Sequence, residues 1–386
     1  MRRTGTYATA TTLGEAIQAF VPLPLPPSEP VLAPACFEAG NRAAELALAR
    51  LSGVSGLVPS VDWLLYSAVR KEALLTSQIE GTQATLVDLF DEEAGFAIGN
   101  TDDVEEVTNY LRAFRRVQDN LRDPAGLPIS VRLLCDAHRF LLDGVRGSGK
   151  QPGELRRSQN WIGGTRPGNA AFVPPPAERV ADLLADIECF IHDESVATPA
   201  PALPPLVKIA LVHAQFETIH PFLDGNGRIG RLLIAALMEH WRLLPEPLMY
   251  LSGYLKQHQS AYYQRLSAIR TEGDWEGWVS FFLEGVAAAA SEAESSIVAI
   301  ASLIAGDRRR LLASPKAGPA SYRLFEALPM MPRFTVELAR QALNTSFPTA
   351  NAAVRLLEDL GIVSELTGQK KNRSYSYQAY IELLTR

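Results

Sequence analysis

Twelve consecutive residues, His220-Pro221-Phe222-Leu223-Asp224-Gly225-Asn226-Gly227-Arg228-Ile229-Gly230-Arg231, bring together an imidazole, a carboxylate, three glycines and two guanidinium groups. The run before them, Leu206 to Ile219, is apolar and reads as a helix; Leu232, Leu233, Leu237, Met238 and Trp241 continue a second helical pattern after them. The segment is therefore a helix, a tight glycine loop and a helix. Gly225 and Gly227 are expected to take positive φ and turn their N–H groups inward. Such a loop feeding a helix N-terminus is an anion site. Arg228 and Arg231, three apart, share a face of that helix and suit a polyphosphate. Asp224 can anchor Mg²⁺, which takes one or two carboxylates plus phosphate oxygens. His220, mostly neutral near pH 7, can accept a proton.

This run resembles the signature of the Fic family, HPFx[D/E]GNGRxxR, and matches it at every fixed position. The resemblance implies an all-α enzyme that moves AMP from ATP–Mg²⁺ to a Ser, Thr or Tyr hydroxyl of another protein, releasing pyrophosphate. It implies that His220 is the base, that Asp224 holds Mg²⁺, and that Phe222, Leu223, Gly225, Asn226 and Gly227 contribute to the nucleotide site. Arg228 would hold phosphate and Arg231 would receive the γ-phosphate. Related Doc-type kinases carry lysine where Gly227 stands; glycine implies the ATP pose that exposes the α-phosphate.

Thr76-Ser77-Gln78-Ile79-Glu80-Gly81 resembles the inhibitory [S/T]xxxE[G/N] helix of autoinhibited members. A carboxylate delivered to Arg231 would occupy the arginine that the γ-phosphate needs. Glu80 is thereby expected to be inhibitory. Further similar stretches are 106–114, 138–147, 152–164 and 262–283. Tyr262 and Tyr263 match adenine-pocket positions, and His258 stands where relatives carry asparagine. The segment around Ile162 to Gly164 resembles a flap that pairs with an extended target segment by strand addition. Self-modification and a homodimer are further expectations.

Several elements must hold these residues in place. Proline density makes 21–34 extended. Helical periodicity follows from about Phe37, through Val61–Leu89, Val104–Leu121 and Val131–Leu142. Gln159 to Ile162 and Ala171 to Val173 read as a β-hairpin around a Gly/Pro/Asn turn. Ala177 to His192 is helical, 195–205 is a Pro/Ala linker, and helices return from Leu206 to about Leu312. The Gly144–Lys150 stretch spells GxxxxGK, but Gln151 replaces the Ser/Thr and a helix precedes it, so it reads as a turn. His213 reads as a satisfied core histidine, and His138, His192 and His240 lack metal-ligand spacing.

The chain of 386 residues, 47% hydrophobic and 21% charged with net charge −6, can build two or three domains, and its charge gives no reason to expect the whole protein to coat nucleic acid. No signal peptide is read behind Met1-Arg2-Arg3, and the best bilayer candidate, Val286 to Ala305, is broken by Glu292 and Glu294. No membrane association is expected. The three cysteines, Cys36, Cys135 and Cys189, fit a reducing cytoplasm, each read as a small buried apolar residue.

The hinge 313–320 opens a basic tail, with twelve Lys/Arg against seven Asp/Glu from residue 306 onward. Three short helices and a basic hairpin there resemble a winged helix-turn-helix, with Thr349, Asn351 and Arg355 on its recognition helix and Lys370, Lys371 and Arg373 on its wing. The expected organisation is mainly α: an N-terminal helical domain (1–115), a Fic core with a β-hairpin flap (116–312) and a winged helix (313–386). Two alternatives remain open: a DNA-binding regulator whose core senses nucleotide, or an enzyme that removes AMP.

Overall fold

A computed structural model describes residues 2–192, 203–369 and 373–385. Residues 195–202 of the Pro/Ala linker, and the wing residues Lys370 and Lys371, lie outside the described residues. The chain opens with a hairpin that the sequence reading missed. Strands β1 (Gly5–Thr12) and β2 (Glu15–Pro22) pair antiparallel. Their two-residue turn, Leu13-Gly14, takes positive φ at both positions, which suits the twist of a tight hairpin. Ile17, Ala19 and Val21 bury one face of β2, and Phe20 is buried on the other, against Tyr7.

Helices α1 (Glu38–Val54), α2 (Val61–Ile79), α3 (Leu86–Glu93), α4 (Thr101–Arg122), α5 (Val131–Leu141) and α6 (Val180–Ile191) follow. The single pattern read over 61–89 is thus two helices. The Ser60 hydroxyl caps the start of α2 and Glu80 closes it; Gly81, at φ +104°, ends it in a conformation that suits glycine. Thr85 and Asp88 form a reciprocal cap that starts α3.

The centre of the molecule is α7 (Pro205–Ile219), in which every residue from Leu206 to Ile219 except Glu217 is buried. It packs on α6, on α8 (Asn226–His240) and on the long α11 (Trp275–Leu312). Between them run α9 (Leu251–Gln257) and α10 (Gln259–Glu272). Trp278, Phe216, Phe222 and Phe282 are fully buried, each stabilising the fold by roughly 2–3 kcal/mol. By length and composition, α11 alone among the described residues could cross a bilayer. Its inner face, however, lies against α1, α7, α9 and α10.

The tail contains α12 (Pro319–Ala327), β3 (Arg333–Thr335), α13 (Val336–Leu343), α14 (Phe347–Asp359), β4 (Ser364–Glu365), β5 (Ser374–Ser376) and α15 (Gln378–Thr385), with β5 between β3 and β4. It docks on the rest of the chain. Arg333 holds both carboxylate oxygens of Asp91 at the end of α3, at 2.7 and 2.9 Å. The Tyr377 hydroxyl donates to Asp307 of α11 at 2.6 Å.

The cysteines correct an expectation. Cys36 and Cys189 are exposed and only Cys135 is part-buried. Cys36 ends the proline-rich run before α1, and Cys189 lies on the outer face of α6, so neither position faces a core.

Candidate active site

Helix α7 ends at His220, which takes a left-handed conformation (φ 50°, ψ 61°). Pro221 follows and cannot continue the helix. A non-glycine residue held in this region is strained, a condition that clusters at functional sites. The His220 Nδ1 lies 3.4 Å from the Glu217 carbonyl. That oxygen can only accept, so Nδ1 carries the hydrogen and Nε2 keeps a free lone pair. Burial pushes the imidazole down to about 4, so it is neutral at physiological pH.

The loop after His220 is closed by Asn226. Its Oδ1 accepts from the Phe222 N–H at 2.8 Å, and its Nδ2 donates to the Phe222 carbonyl at 2.9 Å. Gly225 takes φ +75° and caps α8. Gly227 does not take positive φ, which corrects the expectation that both glycines do. Gly227 is helical, and its importance is spatial: a Cβ there would collide with Glu80 Oε1 and stand 3.0 Å from Arg231 Nη1. The amides of Asn226, Gly227 and Arg228 open α8 and have no intrahelical acceptor, so they remain available to an anion. Asp224, with its side chain 40% exposed, stands at the rim. Its Oδ1 accepts from the Gly225 N–H at 2.6 Å. The turn spelling GxxxxGK lies alongside, with a Cβ on Gly147 falling 2.9 Å from Asp224 Oδ2.

Both arginines are buried. Arg228 lies 3.4 Å from Glu106 and 3.8 Å from Asp224, and among the described residues its Nε has no hydrogen-bond partner. Arg231 donates through Nε to the Thr76 hydroxyl at 2.6 Å and through Nη2 to the Thr76 carbonyl at 3.1 Å and Glu80 Oε1 at 2.5 Å. Burial pushes the Glu80 carboxyl up, but Arg231 outweighs burial and holds it below the usual range. Lys256 and Gln259 steady the end of α2 by donating to the Gln78 side chain and the Ile79 carbonyl.

The adenine-pocket expectations separate. Tyr262 is buried and its hydroxyl donates to His213 Nε2 at 2.9 Å, while His213 Nδ1 donates to the Gly230 carbonyl at 3.2 Å. Tyr262 therefore supports the site from within the core. Tyr263 is 49% exposed and lies in the field of Glu80 and Arg231. His258 is exposed at the α9–α10 junction, its ring 4.4 Å from that of Tyr254. The flap is a single bridge, with Ile162 and Phe172 exchanging bonds of 2.8 and 3.1 Å. It is less regular than the hairpin read over Gln159 to Ile162 and Ala171 to Val173.

Three supporting residues escaped the sequence reading. His138 is fully buried, stacks on Phe222 with centroids 3.9 Å apart, and accepts from the Gly153 N–H at Nδ1. Its Nε2 consequently donates to the Asp224 carbonyl at 3.0 Å. Arg156 is buried among carbonyls, donating to those of His220, Ser158, Pro175 and Ile219 at 2.6–3.3 Å. Asn160 donates to the Phe222 carbonyl at 3.1 Å. The signal for Arg156 was its place within the similar stretch 152–164, but nothing local showed what it would bond.

Known proteins share this architecture. The profile of the Fic/DOC family N-terminal region matches residues 40–119, and that of the Fic/DOC family matches 128–238. Protein adenylyltransferase Fic of Drosophila erecta is 30% identical over 161 residues, and that of Drosophila willistoni 32%. Each alignment covers 41% of this chain, and the chain spans only 28% of the length of those relatives. Among solved structures, a Fic family protein from Desulfovibrio desulfuricans G20 superposes with a TM-score of 0.53 at 21% identity, covering 86% of this chain and 95% of that one. Fic-1 from C. elegans gives 0.51 at 22% identity, covering 68% and 74%. With the loop, both arginines and the two family regions in one chain, the protein belongs to the Fic/DOC family.

Proposed function

We propose that this protein transfers AMP from ATP to a hydroxyl side chain of a protein, and that Glu80 restrains the reaction. The observation that carries this reading is the sharing of Arg231: one buried guanidinium at a phosphate-type loop is held by Thr76 and Glu80, one helical turn apart on α2.

The residues suit ATP. The amides opening α8, the Arg228 and Arg231 guanidinium groups and the loop glycines offer donors to a polyphosphate. Among the described residues no three His, Cys, Asp or Glu side chains cluster to hold a metal ion. That suits Mg²⁺ arriving with the nucleotide and taking Asp224 as its one protein carboxylate. The ion would supply charge neutralisation of the phosphates. His220 Nε2 removes the proton of the target hydroxyl, whose oxygen forms a bond to the α-phosphorus. The bond from that phosphorus to the bridging oxygen breaks, and pyrophosphate leaves. Catalysis then rests on position and charge. With Glu80 on Arg231, the γ-phosphate meets a carboxylate and an occupied arginine, which holds the α-phosphate out of line.

The target presents its hydroxyl on an extended segment along the Ile162 edge of the flap, by strand addition. A second reading concerns the tail, whose order of one helix, a strand, two helices and two strands suits a winged helix. Arg355 of α14 is exposed there, and weak, salt-sensitive DNA binding by the tail would accompany the enzymatic role. The direct test incubates the Glu80→Gly chain with Mg²⁺ and ATP labelled at either the α- or the γ-phosphate, and reads label and intact mass. A gain of one AMP supports transfer. Label from the γ-phosphate, or nucleotide binding without any covalent product, contradicts it.

A further inference from the structure

Of four arginines at the candidate site, three are engaged. Arg156 donates to four carbonyls, Arg228 faces Glu106, and Arg231 holds Thr76 and Glu80. Arg270, on the last turn of α10, is different. Its guanidinium carbon sits 3.9 Å over the Phe172 ring of the flap. Among the described residues its five N–H donors have neither a hydrogen bond nor an ion pair, although the side chain is part-buried. The groups facing it are the Tyr7 phenol, the Glu217 carboxyl and His220. Glu217 does not neutralise it at close range. Burial raises that carboxyl to about 7, and among the described residues its buried Oε1, beside Gly230, has no hydrogen-bond partner. Burial lowers Arg270 itself to about 10, so it remains a cation at neutral pH.

The surroundings fix this cation in place. Phe172 is the residue that bridges to Ile162. Phe20 of β2 packs 6.4 Å from Phe172 by ring centroids, and its N–H donates to the Val173 carbonyl at 3.0 Å. The N-terminal hairpin thus braces the flap strand on which Arg270 stacks. A guanidinium held flat on an aromatic ring is oriented before any ligand arrives. Stripped of part of its water and, among the described residues, with no carboxylate in contact, it gains from a carboxylate, which two parallel N–H groups can hold.

We propose that Arg270 selects the protein substrate by pairing with a carboxylate side chain that lies within about two residues of the accepting hydroxyl. This rests on the AMP-transfer reading. The phosphates are served by the loop, Arg228 and Arg231. Arg270 belongs to the flap side, where the extended target segment enters. The substrate class is therefore an extended segment carrying a hydroxyl flanked by Asp or Glu.

The test uses Glu80→Gly enzyme, α-labelled ATP and three extended peptides with a central Thr flanked by Glu, Ala or Lys. The Glu peptide should exceed the Ala peptide by about 10-fold in kcat/KM, mostly through KM, with the Lys peptide poorest. Arg270→Ala should bring the Glu-to-Ala ratio near one, and Arg270→Glu should make the Lys peptide the best. A residue that merely holds the flap would change all three peptides alike. Equal labelling of the three peptides by the Arg270 enzyme overturns this proposal alone, as does a preference that survives Arg270→Ala. Failure to label any peptide or the enzyme itself overturns the AMP-transfer reading and this proposal with it.

Discussion

Glu80 Oε1 occupies the space that a side chain at residue 227 would need, so the absence of a Cβ at Gly227 lets the carboxylate reach Arg231. The position is helical and accepts alanine without backbone strain. Gly227→Ala should therefore push Glu80 off Arg231 while leaving the fold intact. Amide hydrogen exchange at residues 79–82, the end of α2, should speed up by at least about 10-fold, as for a local structure losing its tether. Unchanged exchange there would mean that Glu80 is seated by other contacts.

His220 offers Nε2 as the base, while the nucleotide is held by other residues. His220→Gln should lower AMP transfer by at least about 100-fold, with ATP affinity changed by no more than about threefold. Calorimetric ATP binding and labelling by the same preparation check this together. Transfer near the parent rate would remove His220 from the mechanism.

The pH profile is a second signature of His220. Burial depresses its pKa to about 4, with the nearby Glu80 carboxylate acting upward. The base form is neutral, so activity is lost only as pH falls through the folded pKa. In the Glu80→Gly enzyme that upward influence is absent and the neutral form persists further into acid. Its kcat/KM should be flat from about pH 8 to about pH 5.5, whereas an ordinary histidine would already halve it near 6.5. An acid limb centred near 6.5 would contradict a buried base.

Arg156 ties the flap to the turn at His220. Arg156→Ala should leave several buried carbonyls without donors and destabilise the protein by on the order of 3 kcal/mol. Denaturant titration reads this, and Arg156→Lys should recover only part, since an ammonium cannot span the same carbonyls. A midpoint within error of the parent would show that water replaces the guanidinium freely.

The sequence exposed what is local. The α7–loop–α8 unit was legible because base, carboxylate, glycines and arginines fall within one short stretch, and α2 because Leu64, Leu65, Val69, Leu74 and Leu75 recur at helical spacing. The N-terminal hairpin was hidden because small residues blur the alternation of GTYATATT; the signal was the β-branched threonines and the Leu13-Gly14 turn. Roles set across the fold were not legible. Gly227 matters because of a side chain 147 positions earlier, and His138 because of a carbonyl 86 positions later. The exposure of Cys36 and Cys189 likewise depends on which faces the packed helices turn outward.

The competition for Arg231 is tested most directly by self-labelling with α-labelled ATP in wild type, Glu80→Gly and Glu80→Gly/Arg231→Ala. In the resting chain the carboxylate and the guanidinium are 2.5 Å apart, and a displacement of reacting atoms by about 1 Å can cost about 100-fold in rate. Glu80→Gly should label at least about 10-fold more than wild type, and adding Arg231→Ala should abolish the gain, because the γ-phosphate then has no arginine to take. Glu80→Gly labelling no faster than wild type, or a gain that persists without Arg231, would contradict the assignment of Glu80 as the restraint on this site.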